Sequence, residues 1–151
     1  MENYLTSKAT IQIQKPKSEV FNAIIDAEQM NKYFIEHSTG SLETGVTVNW
    51  KFPEFEDIFP VTGKTIIKDE FISFDWSEGA EGMIVEISLS SFDNHSTIVR
   101  IEEKQMPANE EGIKWLMQQT EGWANFLACL KASLEYNINL RKGAFDFMKK
   151  D

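Results

Sequence analysis

The chain has one cysteine, Cys129, so no intramolecular disulfide can form and the fold must hold without one. It has two histidines, His37 and His95, far apart in sequence, with no HExxH and no paired-cysteine spacing; no metal site is expected. There is no GxSxG, no phosphate-binding P-loop and no GxGxxG, which removes the sequence signatures of serine hydrolases, nucleotide hydrolases and dinucleotide enzymes. Basic residues are scarce: 15 Lys and Arg stand against 24 Asp and Glu, a net charge of −9. Nucleic acid and anionic membranes both select basic surfaces, so neither is an expected partner. No run approaches the ~20 apolar residues of a membrane span. The opening MENYLTSKATIQIQKP has no basic segment followed by an apolar one, so a cytoplasmic location is expected. Repeats, linkers and low-complexity tracts are also missing. Asn94-His95-Ser96 matches a glycosylation acceptor, but with no secretion signal it is read as chance.

What is abundant is aromatic. Eleven Phe and four Trp are generous for 151 residues and imply either a bulky core or an aromatic-lined cavity. Hydrophobic content of 42% and charged content of 26% are ordinary for a globular protein, and one domain spanning 1–151 is expected.

The strongest periodic signal lies near the C-terminus. Leu116, Trp123, Leu127, Leu130, Leu134 and Ile138 recur at helical spacing with Thr120 in register, which predicts one helix from Asn109 to Lys142. Asn109 is a suitable N-cap, Glu110 and Glu111 suit the positive end of the helix dipole, and Arg141, Lys142 and Gly143 suit the other end. Gly122 inside it is either a bend, a place of close approach, or a tolerated defect.

Upstream, Ala9 to Gln14 alternates as a strand that Pro16 ends. Two short helices follow: Glu19 to Asp26 capped by Ser18, with Val20, Phe21, Ile24 and Ile25 inward, and Ala27 to Tyr33, with Met30, Tyr33 and Phe34 inward. Strands are then predicted over 46–52, 61–67 and 71–76, with PEFEDIFP (53–60) as a loop and Gly63 as a bulge or close contact. Met83–Phe92 and Thr97–Lys104 make a hairpin with Val85, Ile87, Leu89, Val99 and Ile101 on one face and Glu86, Ser88, Arg100 and Glu102 on the other. The order predicts an α+β domain, an antiparallel meander of about six or seven strands with the long helix covering one face.

The stretches ATIQIQKPKSEVFNAI, Gly45-Val46-Thr47-Val48-Asn49-Trp50, EISLSSFDNHSTIVRIEE and EGWANFLACLKASLE resemble the activator of heat-shock protein 90 ATPase-like family. This family belongs to the SRPBCC superfamily of START and birch-pollen-allergen-like domains. Gly122-Trp123 followed by Leu127 and Leu130 is the most specific part. The resemblance implies a helix-grip fold, a curved antiparallel sheet wrapped on the long helix with a cavity between. It departs from a common family pattern at Lys32-Tyr33-Phe34 and Ser41-Leu42-Glu43, where many members carry a tryptophan and paired glycines.

The expected cavity has the inward strand residues Val48, Trp50, Phe74, Trp76 and Ile87 as its floor and the helix residues Trp115, Gln119, Trp123 and Leu127, which step by four, as its roof. Phe52 joins the same aromatic set. Gln119 favours a ligand site over a plain core, because a buried amide needs a hydrogen-bond partner. The expected ligand is a small apolar or amphipathic molecule, with no cofactor. The alternative carried by the resemblance is a stress-response role as a regulator of the heat-shock protein 90 chaperone through protein contacts. No catalytic constellation is visible, so an enzyme ranks last.

Overall fold

The structure, a computed structural model, describes residues 3–149. Seven strands form one antiparallel sheet: β1 (Tyr4–Ile13), β2 (His37–Ser38), β3 (Thr47–Lys51), β4 (Ile58–Ile67), β5 (Phe71–Asp75), β6 (Ile84–Asp93) and β7 (Ser96–Pro107), in the order β1-β7-β6-β5-β4-β3-β2. Two short helices, α1 (Lys17–Ile25) and α2 (Ala27–Met30), follow β1, and the long helix α3 (Glu110–Tyr136) follows β7. Among the described residues the last element is a 3-10 turn at Asp146–Met148.

The hairpin β6–β7 has the alternation that its sequence dictates. Ile87 faces Ile101 and Leu89 faces Val99 across the strands, and all four are buried. The next inward pair in the same register is Val85 with Glu103, so the pleat carries a carboxylate into the interior. On its other side Glu103 stands opposite Ser7 of β1, which is also buried.

Helix α3 packs mainly along β1 and β7. Asn109 caps it as expected, its side-chain oxygen accepting the Gly112 N–H at 2.8 Å. The helix ends six residues before Lys142. Asn137 takes the left-handed conformation (φ 54°, ψ 43°), and Ile138 N–H bonds back to the Ala132 carbonyl at 3.2 Å. Asparagine tolerates that conformation and is a poor helix former, so no glycine is needed to stop the helix. Ile138 therefore leaves the stripe and is 53% exposed, while Phe126 and Cys129 join Trp123, Leu127 and Leu130 in the buried face.

Other boundaries moved for local reasons. Helix α1 begins at Lys17, with Pro16 in the cap position and its carbonyl accepting from Glu19 and Val20, so Ser18 lies inside the first turn instead of capping it. Helix α2 stops at Met30, but single turns bonded to the Met30 carbonyl carry on to Ile35 and bury Tyr33 and Phe34. Residues 58–60, expected in a loop, open β4. Pro60 pairs opposite Asn49, and pairing with β5 starts only at Thr62, so one side of the proline has no strand neighbour to supply. Gly63 meets both expectations: the register shifts beside it, and a Cβ there would lie 2.1 Å from the Glu43 carbonyl oxygen. No helix of the described residues is long and apolar enough to cross a membrane.

Candidate functional site

The two halves of α3 meet the sheet with different chemistry. The C-terminal half sets Phe126, Leu127 and Leu130 into the core that Ile13, Val20, Phe21 and Ile24 share. The N-terminal half is held by polar bonds. Thr120 Oγ1 lies 3.1 Å from Ser7 Oγ. Glu103, 2% exposed, accepts three hydrogen bonds: from Trp76 Nε1 to Oε2 at 2.8 Å, and from Gln119 Nε2 and Trp123 Nε1 to Oε1 at 2.7 and 2.8 Å. A buried carboxylate must recover its lost hydration through such bonds. The same bonds fix two indoles: Trp76 and Trp123 stack with centroids 5.2 Å apart and planes 29° apart.

Beside this stacked pair is an open cleft of about 440 Å³. Its lining includes Phe34, Phe52, Phe55 and Phe59, together with Trp76 and Trp123. The remaining lining residues are Gln119, Gly122 and Arg141. Gly122 is exposed, and a Cβ built on it meets nothing within 4 Å, so it is neither a bend forced by packing nor a close approach; its missing side chain leaves the cleft open. The close approach in α3 is at Gly112, where a Cβ would lie 1.9 Å from the Pro107 carbonyl oxygen.

Arg141 comes from the segment after α3, which returns over the loop between β3 and β4. Its Nη2 donates to Glu54 Oε1 at 2.6 Å, and both side chains are largely buried. The guanidinium carbon lies 5.2 Å from the Phe52 ring centroid, 5.8 Å from that of Phe34 and 4.9 Å from that of Phe145. Arg141 also borders a second cleft of about 640 Å³, on the side of Tyr33, Ile35, Glu54 and Asn139. Behind it, burial raises the Cys129 thiol pKa against an opposing pull from Arg141, and the side chain is packed in the core as an unreactive thiol. Burial also holds the Tyr33 phenol protonated, donating to the Ala23 carbonyl at 2.7 Å.

Of the residues expected to form the cavity, the structure brings Trp76, Gln119 and Trp123 together at the cleft and on Glu103. Val48, Trp50, Phe74, Ile87 and Leu127 are buried in the core. The void shared there by Trp50, Phe74, Ile87 and Trp123 is about 10 Å³, about the lower limit for one water molecule. The Trp50 Nε1 is buried in that layer without a hydrogen-bond partner. Trp115 is half-buried on the first turns of α3 and does not line the cleft. Reasoning from sequence missed Glu103, Phe34, Phe55, Phe59 and Arg141. Glu103 had a legible signal, since strand alternation from Val99 and Ile101 points it inward. Arg141 had none.

A seven-stranded antiparallel sheet wrapped on one long C-terminal helix, with the cleft beside that helix, is the helix-grip arrangement of SRPBCC domains. Within that class the chain belongs to the Activator of Hsp90 ATPase homolog 1-like family, whose model matches residues 14–135. Among solved structures, a Staphylococcus saprophyticus protein shares 24% identity with a TM-score of 0.80, the match covering 91% of this chain and 96% of that one. The Aha1 dimer from Colwellia psychrerythraea shares 17% identity with a TM-score of 0.74, covering 87% and 97%. The di-domain ARO/CYC BexL from the BE-7585A biosynthetic pathway shares 13% with a TM-score of 0.73, covering 87% of this chain and 46% of that one. At these identities the likeness is one of fold. No curated protein matches the chain.

Proposed function

We propose that this protein binds a small, largely apolar molecule in the cleft beside α3. The observation that carries this reading is the open, roughly 440 Å³ cleft whose lining is six aromatic rings and few polar groups. Ligand sites have this size and composition, an apolar body with sparse groups that orient the ligand. The contacts are made by Trp76, Trp123 and Gln119 together with the phenylalanines of the cleft. Val48, Trp50, Phe74, Ile87 and Leu127 are the packed layer that supports them. A fold shared with the di-domain ARO/CYC BexL is consistent with such a site.

The test is a titration with N-phenyl-1-naphthylamine, a neutral apolar dye. Saturable dye fluorescence, quenching of protein tryptophan emission and a raised melting temperature are expected together. Gly122→Leu fills the cleft from a position where added atoms meet open space, and should abolish all three while leaving the circular dichroism spectrum unchanged. Absence of saturable binding to the unmodified protein would end this reading.

The second reading is regulation of the heat-shock protein 90 ATPase through protein contacts, favoured by the family match. With a net charge of −9, such contacts should weaken steeply with salt. A chaperone ATPase rate that does not respond to this protein at low ionic strength removes it.

A further inference from the structure

The geometry points to an amphipathic organic acid as the occupant of the cleft: a flat apolar body with one anionic group that Arg141 receives. The inference rests on the cleft being a ligand site, as proposed above, and adds the charge of the ligand.

The protein as a whole repels anions, with 24 acidic residues against 15 basic. Within the cleft lining the one ionisable side chain is the cation Arg141, and its counter-ion Glu54 lies outside that lining. That guanidinium is shielded by the rings of Phe34, Phe52 and Phe145. An electrostatic partner there acts through aromatic surroundings instead of bulk water, which strengthens it.

Arg141 has donors to spare. A guanidinium carries five N–H groups in a planar fork. Among the described residues, Arg141 makes one hydrogen bond, from Nη2 to Glu54, and its buried Nε has no partner. Nη1 also makes no hydrogen bond and, unlike Nε, is not enclosed, so its N–H groups are the ones an incoming ligand oxygen reaches. Arg141 borders both clefts, whereas Glu54 borders the adjoining one and not this one. We place the second acceptor on Nη1 from the aromatic cleft, whose lining does not include Glu54.

The nearby acidic groups do not occupy that place. Glu103 is buried and does not line the cleft, and its oxygens are taken by Trp76, Gln119 and Trp123. Glu54 is already bound to Arg141. Glu56 and Asp57 line a separate depression with Glu54 and Lys149.

Two dyes that share one aromatic skeleton test the charge: 8-anilinonaphthalene-1-sulfonate and its neutral parent N-phenyl-1-naphthylamine. At low ionic strength the sulfonate should bind the unmodified protein about tenfold more tightly, the size of one added charge-assisted hydrogen bond. Arg141→Gln should abolish that preference, so that the two dyes bind within about twofold of each other. Because Arg141→Gln strands Glu54, the double variant Arg141→Gln/Glu54→Gln keeps the pair neutral and hydrogen-bonded should the single variant not fold. Gly122→Leu should block both dyes, which assigns their binding to this cleft. Equal affinity of the two dyes for the unmodified protein, or a preference that survives in the double variant, overturns the inference while the cleft remains a ligand site. Failure of both dyes to bind overturns the ligand site itself.

Discussion

Replacing Glu103 by glutamine changes one oxygen to an NH2 group and nothing in shape. The three donors on Glu103 set the outcome. Oε1 takes two of them, from Gln119 and Trp123, and Oε2 takes one, from Trp76. The glutamine carbonyl will therefore sit in the Oε1 place, and its NH2 will face the Trp76 N–H, donor against donor. The Trp76 N–H and the new NH2 both lack an acceptor there, and each buried donor left unsatisfied costs about 1–3 kcal/mol, less where water reaches the half-buried Trp76. The two surviving bonds also weaken, since they no longer end on a charge, but the neutral amide escapes the carboxylate's burial cost; these two changes oppose each other and roughly offset. A net loss of about 2 kcal/mol is expected, against a total stability of typically ~5–15 kcal/mol. With a urea slope of about 2 kcal/mol per molar, the denaturation midpoint should fall by about 1 M. Near-ultraviolet circular dichroism should weaken as well, because the stacked Trp76–Trp123 pair loses the bond that fixes one of its rings. A midpoint that stays level or rises would refute the reasoning. It would show that the burial cost of the carboxylate exceeds what its three bonds return.

Two glycines of α3 should respond to alanine with opposite signs. Gly112→Ala drives a Cβ against the Pro107 carbonyl, backbone that cannot turn aside, and should lower the melting temperature by about 4–8 °C. Gly122→Ala adds a methyl to open space and gains about 1 kcal/mol of helix propensity, so the melting temperature should rise by about 2–4 °C. Calorimetry of both variants checks the pair, and a shared sign would show that the helix is placed differently. At Asp75, burial works to raise the carboxyl pKa, but the Ser77 hydroxyl and the Ser77 and Gly79 N–H groups outweigh it and hold the carboxyl below its ordinary value. A depressed folded value contributes stability that is complete above the unfolded value of about 3.9 and is lost as pH falls through the folded one. The stability gap between the protein and Asp75→Asn should therefore be widest near neutral pH and close below about pH 4. A gap that stays constant in denaturation curves across that range would exclude the linkage.

Much of the fold was legible because periodicity reports which face an element buries. Val85, Ile87, Leu89, Val99 and Ile101 alternate and are all buried, as a hairpin on a core requires. The stripe of α3 was legible through Trp123, Leu127 and Leu130 for the same reason. Its end was not, since Arg141, Lys142 and Gly143 make a plausible helix terminus while Asn137 ends it earlier. Capping signals compete locally, and a sequence holds several sites able to stop a helix; the packing of the downstream segment decides among them. The strand that opens at Ile58 was hidden by Pro60, because proline's incompatibility with a sheet applies to paired strands and here one side is unpaired.

The site was legible only where it shares residues with the core. A step of four along the helix placed Trp115, Gln119, Trp123 and Leu127 on one side, and two of these four reach the cleft. A row of side chains on a helix crosses from the packed centre of a sheet to its edge, so one spacing rule spans both environments. Leu127 lies at the packed end and Gln119 toward the open end. Gln119 was chosen because its amide needs a partner, and that partner is Glu103, an acid buried by the alternation that also buries Val99 and Ile101. Pairing an inward acid on a strand with inward N–H donors on the facing helix is a rule that sequence patterns can carry. What no pattern carries is Arg141. Its place over Phe34 and Phe52 depends on how the chain turns after Asn137, and its charge could as well have lain in solvent at a helix end. The Glu103 network that holds Trp76, Gln119 and Trp123 arises from the elements themselves, while the one cation of the cleft is held by a contact between the return of the last segment and the β3–β4 loop.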